Sequence, residues 1–131
     1  MQVGVGVIGA GTVGGGVIDI LLDNTGVIEE KTGAQVTLKH VAELRGELLK
    51  DFDLGGIRVS PDAADLIADP EVNVVCELIG GVGSARTLIL QALNAGKHVV
   101  TANKMLLAMH GPELNEAASR NGVELRYEAA V

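Results

Sequence analysis

Aromatic side chains are nearly missing from this 131-residue chain: Phe52 and Tyr127 stand alone, and tryptophan does not occur. With 47% of its residues apolar, the core must be assembled from Val, Ile, Leu and Ala, which suits a parallel sheet buried on both faces. Basic residues are short as well, 10 Lys and Arg against 17 Asp and Glu, for a formal charge of −7. Without a basic stripe to release counterions, the composition argues against a nucleic-acid partner. The single cysteine, Cys76, cannot form an internal disulfide and fits a reducing cytoplasm. No Lys or Arg precedes the first apolar stretch, so no signal peptide is expected. Glycines and Asp19 interrupt that stretch too often for a membrane span. Repeats and low-complexity tracts are also lacking. The expectation is one cytoplasmic domain, long enough for a real core, with neither membrane nor nucleic acid as partner.

What the chain does have is a glycine motif in the right place. The alternating run Val3 to Ile8 feeds into G-x-G-x-x-G at Gly9, Gly11 and Gly14, and Val17, Ile18, Ile20 and Leu21 then recur at helical spacing. Strand, tight turn and helix in that order turn a common pattern into a dinucleotide-binding fingerprint. Gly9 turns the chain, Gly11 lets backbone approach a pyrophosphate, and Gly14 lets helix pack on strand. The helix's first N–H groups and its dipole then face the phosphates.

Further on, Val36 to Val41 predicts a second strand, followed by Glu43 and Arg45. An acidic residue there holds adenosine ribose hydroxyls in such folds, roughly 20 residues after the glycines. Glu43 lies 29 positions after Gly14, so it is either that ligand, with the loop around residues 25–35 absorbing the excess, or a surface carboxylate. Ile57 to Val59 reads as a short strand; Ser60 and Pro61 then read as cap and first residue of a helix that Asp69-Pro70 ends. Val72 to Ile79 is nearly continuous in apolar residues and is expected to be central. A helix follows, with Ala85, Leu88, Ile89, Ala92 and Leu93 on one face and Gly96 as its left-handed cap. His98 to Thr101 predicts a fifth strand, Pro112 the start of another helix ending at Asn121-Gly122, and Val123 to Glu128 a sixth strand. The class is α/β, a doubly wound, mostly parallel sheet of Rossmann type. The apolar ending Ala129-Ala130-Val131 reads as a chain cut between domains.

Lys104 is the sharpest candidate for chemistry. It follows a strand's carboxyl end, where a lysine can donate to a carbonyl oxygen that gains charge during hydride transfer, or can simply be solvated surface. The three histidines, His40, His98 and His110, share no ligand spacing, and His98 reads as a structural hydrogen-bonder. Cys76 reads as a small core residue. Glu128 is either a rim carboxylate or a ligand to something completed elsewhere.

Three stretches resemble homoserine dehydrogenase: Val75 to Gly81, Ala92 to Lys104, and Tyr127 to Val131. With the glycine motif, the resemblance spans essentially the whole chain, residues 1–131 forming the dinucleotide-binding domain. It implies a cytoplasmic enzyme of the aspartate pathway towards threonine and methionine that uses NAD or NADP to interconvert aspartate 4-semialdehyde and homoserine. On that basis Gly9, Gly11, Thr12, Val13 and Gly14 surround the pyrophosphate, and Ile79, Gly80 and Thr101 line the nicotinamide side. Lys104 touches cofactor or substrate near the reacting carbon. Glu128 and the Val131 backbone begin a monovalent-cation (Na+) site. The resemblance further implies a small-molecule substrate held by a second domain beyond Val131, and a homo-oligomer at full length. Where the family has Thr-Glu-Pro after Gly80-Gly81, this chain has Val82-Gly83-Ser84. Another Rossmann dehydrogenase and a non-catalytic nucleotide-binding module are the competing readings.

Overall fold

The computed structural model describes residues 2–23, 30, 33–79 and 83–127. In chain order the elements are β1 (Gln2–Ile8), α1 (Thr12–Asp23), β2 (Gln35–Ala42), a 3-10 turn (Gly46–Leu49), β3 (Arg58–Ser60), α2 (Ala63–Ile67), β4 (Val74–Glu77), α3 (Gly83–Asn94), β5 (His98–Thr101), α4 (Lys104–Arg120) and β6 (Leu125–Tyr127). The strands form one sheet in the order β3-β2-β1-β4-β5-β6, and the pairings are parallel. Strand order reverses between β1 and β4, so the loops leaving their carboxyl ends diverge and open a crevice there.

Each face of the sheet carries its own core. On one, Ile18 and Leu21 of α1 pack with Val5, Val7, Leu38 and Val41, and Phe52 adds its partly buried ring. On the other, Leu66, Ile89, Leu93, Leu106 and Leu114 from α2, α3 and α4 meet Ile8, Val75 and Val99. A register shift between Val5 and Gly6 makes Leu38 pair with Val5 but His40 with Gly6. That bulge lets Leu38 and Val41, three residues apart, share a face.

Two expected helix starts are corrected. Ser60 does not cap α2: Asp62 does, its Oδ1 accepting from the Ala64 N–H at 2.9 Å. The Ser60 hydroxyl instead meets His40 Nε2 at 2.6 Å. Nor does Pro112 open a helix, since it lies inside α4. Asn103 caps that helix by accepting from Leu106 N–H at 3.0 Å, and Leu106, Leu114, Ala117 and Ala118 form a buried stripe running past the proline. Burial along that stripe outweighs the N–H that proline lacks. The fourth strand is shorter than expected, Val74–Glu77, and Leu78 and Ile79 belong to the crevice edge. Gly96, the expected left-handed cap, has positive φ, and so does Gly122, where the next helix was expected to close.

A polar staple closes the far side of β2. His40 is buried, and its Nδ1 must carry the proton because it faces Asp69 Oδ2, an acceptor, at 2.9 Å. Asp69 Oδ1 accepts from Glu71 N–H at 2.9 Å, and Lys97 Nζ donates to the carbonyls of Asp69 and Val72 at 2.8 and 2.6 Å. Burial raises the Asp69 pKa, but the Glu71 amide, His40 and the Arg58 guanidinium outweigh it and hold the carboxyl below its ordinary range. A depressed carboxylate stabilises the fold above its unfolded pKa and loses that contribution as pH falls through its folded value. His40→Leu is expected to cost about 2 kcal/mol or more, by leaving a buried carboxylate short of a donor. Urea unfolding with an unchanged slope checks it. Asp69→Asn should flatten the loss of stability below pH 3.8, the ordinary aspartate value.

Candidate functional site

The crevice begins at the glycine turn. Gly9 has φ +98, open to glycine at little cost, and donates its N–H to Ala42 O at 2.9 Å. A Cβ on Gly14 would collide with the Gly9 carbonyl oxygen, so that residue is bare to let α1 sit on β1. Gly11 is different: among the described residues, the nearest heavy atom to a Cβ built there is Arg45 Nη2, 3.9 Å away. It faces open space at the amino end of α1, with Thr12 and Val13 in the first turn. That cradle fits a pyrophosphate, which backbone N–H groups and the helix dipole attract.

Glu43 leaves the end of β2 and turns back into this cradle. It is only 9% exposed; its Oε1 accepts from Ala10 N–H at 2.7 Å and its Oε2 from Arg45 N–H at 3.0 Å. Burial raises its pKa, yet those two amides and the Arg45 guanidinium together hold it below the usual carboxylate range. Glu43 is therefore ionised at neutral pH. A carboxylate has about four lone-pair sites, and with two amides and the Arg45 side chain on it about one remains for a hydroxyl donor. Arg45 Nε lies 3.5 Å from Glu43 Oε2, with most of the Arg45 side chain in solvent. Beside Glu43 opens a cavity of about 950 Å³, walled by Ile8, Ala42, Leu44, Pro61, Asp62, Ile79, Ser84 and Thr87 among others. Its size and apolar floor suit an adenosine. Ser84 and Thr87 bring hydroxyls to the wall.

By elimination the other half of the crevice lies over β4 and β5. There a second cavity, about 360 Å³, is lined by Val13, Glu77, Leu78, Ile79, Ala102, Asn103 and Lys104. Ile79 lines both cavities, and its Cγ2 would stand 2.7 Å from a Cβ on Gly9. Lys104 is the first residue of α4 and is exposed at the cavity rim. Thr101 is fully buried beneath it; its hydroxyl donates to Glu77 Oε1 at 2.7 Å and accepts from Asn103 N–H at 3.0 Å. Glu77 was not among the expected site residues, because a lone acid in an apolar strand carries no motif.

Gly80, Glu128 and Val131 lie outside the described residues. Among the described residues no cluster of His, Cys, Asp or Glu could hold a metal ion, and no helix is long and apolar enough to cross a membrane. His98 Nδ1 accepts from Glu124 N–H at 3.1 Å, the structural role expected of it. Burial pushes the Cys76 thiol up to about 11, in keeping with a packing residue.

The sequence profile of homoserine dehydrogenase, NAD-binding domain, matches residues 9–128. The chain belongs to that family. Homoserine dehydrogenases of Bacillus subtilis and Pseudomonas aeruginosa are 41% and 42% identical to it over 127 residues, 97% of this chain and 29% of each relative. The crystal structure of a homoserine dehydrogenase from Thiobacillus denitrificans aligns with a TM-score of 0.90 at 40% identity, over 100% of this chain and 30% of that one. A Staphylococcus aureus homoserine dehydrogenase gives 0.85 at 31% identity, over 99% and 32%. The chain therefore spans under a third of the length of these relatives, and within that third it forms the Rossmann domain of the family.

A Gly11→Val variant tests the cradle directly. Nothing described crowds that position, so the variant should fold with its unfolding midpoint nearly unchanged. Its affinity for NAD(H), measured by calorimetry, should fall by about 100-fold, because branched carbons fill the space a pyrophosphate needs.

Proposed function

We propose that this chain is the nucleotide-binding part of an NAD(P)-dependent homoserine dehydrogenase that interconverts aspartate 4-semialdehyde and homoserine on the route to threonine and methionine. The observation that carries the reading is Lys104 at the rim of the smaller cavity, on a domain that belongs to this family. A bound nicotinamide supplies or accepts the hydride; this chain's residues hold and orient it. The glycine turn and the start of α1 hold the phosphates, Glu43 takes a ribose hydroxyl, and Ile79 separates the two halves of the dinucleotide. Lys104 donates a hydrogen bond to the aldehyde oxygen. That oxygen gains negative charge as reduction proceeds, so the contact is stronger in the transition state than in the ground state and raises turnover. The remaining substrate ligands, and a partner copy in a homo-oligomer, belong to the part of the enzyme that this chain does not represent. Glu128 and the Val131 backbone are proposed ligands of a monovalent cation, and the compartment proposed is the cytoplasm.

Cofactor choice follows from Glu43 and Arg45. An ionised Glu43 repels a 2′-phosphate, while the adjacent guanidinium softens that repulsion, so the proposal is a preference for NAD with NADP tolerated. Glu43→Gln gives up one of the two amide contacts and so weakens both cofactors, but it should raise the ratio of NADP to NAD affinity by about tenfold, since a like charge is removed. An unchanged ratio in that variant would mean the phosphate never meets the carboxylate.

In the full-length enzyme, Lys104→Ala is expected to lower kcat by roughly 100-fold, about 2.7 kcal/mol of transition-state stabilisation, with NADH affinity altered far less. Steady-state absorbance of the reduced nicotinamide reads the first quantity and fluorescence titration the second. Near-normal kcat would return Lys104 to the solvated surface.

A further inference from the structure

Glu77 is one of the most deeply buried side chains in the molecule, 1% exposed, yet it lines the cavity at the ends of β4 and β5. Its two oxygens hold two different loops. Oε2 accepts from Ile79 N–H at 3.0 Å, and Ile79 is the residue that divides the two cavities. Oε1 accepts from the Thr101 hydroxyl at 2.7 Å. That hydroxyl accepts in turn from Asn103 N–H at 3.0 Å, and Asn103 Oδ1 caps α4 through Leu106 N–H at 3.0 Å. The chain of contacts ends at the helix turn that begins with Lys104. A hydrophobic residue could fill the same volume but would take the acceptor from both the Ile79 N–H and the Thr101 hydroxyl, so the acid ties two loops together where an apolar side chain could only pack.

We propose that Glu77 is a positioning residue for hydride transfer: through Ile79 on one side and Thr101 and Asn103 on the other, it sets the spacing of the two loops between which the nicotinamide half of the cofactor must fit. The inference rests on the dinucleotide-binding reading of this crevice, and its consequence is selective. ADP-ribose, which lacks the nicotinamide ring, needs only the glycine cradle and the Glu43 side. NADH needs both halves.

An amide at position 77 has one oxygen for the two donors, so Glu77→Gln must release Ile79 N–H or reverse the Thr101 contact. In the full-length protein, Glu77→Gln should weaken NADH by about tenfold while ADP-ribose affinity stays within twofold, both read by calorimetric titration. Thr101→Val should reproduce that pattern by removing the middle link, and Thr101→Ser, which keeps the hydroxyl, should recover most of the loss. This threonine pair keeps the test intact if the Glu77 variant does not fold. In a Lys104→Ala background, Glu77→Gln should lower kcat by less than twofold further, because it acts through the loop that presents Lys104. Equal weakening of NADH and ADP-ribose would reduce Glu77 to general stability, and unchanged NADH affinity would remove it from the site; either overturns the proposal. A wild-type enzyme without homoserine-dependent nicotinamide reduction, but with the NADH-selective loss in Glu77→Gln, would reject the proposed reaction and retain the positioning role.

Discussion

The hydrogen bond from Ala10 N–H to the Glu43 carboxylate, 2.7 Å long and buried, holds the glycine turn against the end of the neighbouring strand. Without it the turn would have to find another acceptor at the point where strand order reverses. The same device recurs along the sheet. Glu43, Glu77 and Thr101 each place a side-chain oxygen on the amide two residues ahead, those of Arg45, Ile79 and Asn103. A parallel strand that stops leaves an N–H without a ladder partner, and a buried N–H must be paired. Here the pairing is done by acids and a hydroxyl, which have further lone pairs for a second loop. The edge that binds a ligand is thereby also the edge whose backbone is tied together.

The scarcity of aromatics has a consequence for this arrangement. A core of Val, Ile, Leu and Ala packs tightly in a thin layer, so α1 can sit directly on β1 with Gly14 against Gly9. Small side chains hold the amino end of that helix within reach of the crevice. The only phenylalanine, Phe52, lies at the margin of one core in the segment after the 3-10 turn, with its ring beside Gly15 of α1.

Much of the fold was legible because its signals are local. Alternation in β1, the glycine turn, the stripe of α3 and the left-handed caps each lie within a dozen residues. The misread starts at Ser60 and Pro112 show where locality fails. Both residues fit a helix start by type, but Ser60 was claimed by His40, 20 positions earlier, and α4 was begun by Asn103 and carried through Pro112 by burial against α3. Of the candidate site, Gly9, Gly11, Gly14, Glu43 and Lys104 stand out by their order along the chain, and the fold brings them to one edge of the sheet. Glu77 does not, because its partner Thr101 lies 24 positions away and only the pairing of Glu77 with Thr101 across β4 and β5 brings the two side chains together.

A chain of charge −7 is an unpromising host for an anionic cofactor if the whole molecule is treated as one charge. At physiological ionic strength the field of a surface charge is screened within about 8 Å, so distant carboxylates contribute little at the crevice. What acts there is near: the amino end of α1, the Arg45 guanidinium 3.9 Å from the open side of Gly11, and Lys104 at the rim of the second cavity. Glu43 is the one acid facing the larger cavity in this stretch whose charge is held by two amides, and those bonds draw its charge towards the backbone. A compact set of donors thus makes an anion site on an acidic protein. The same arithmetic separates the two cations: Arg45 lies beside the glycine turn and Lys104 at the rim of the second cavity, too far apart in the crevice for one to stand in for the other.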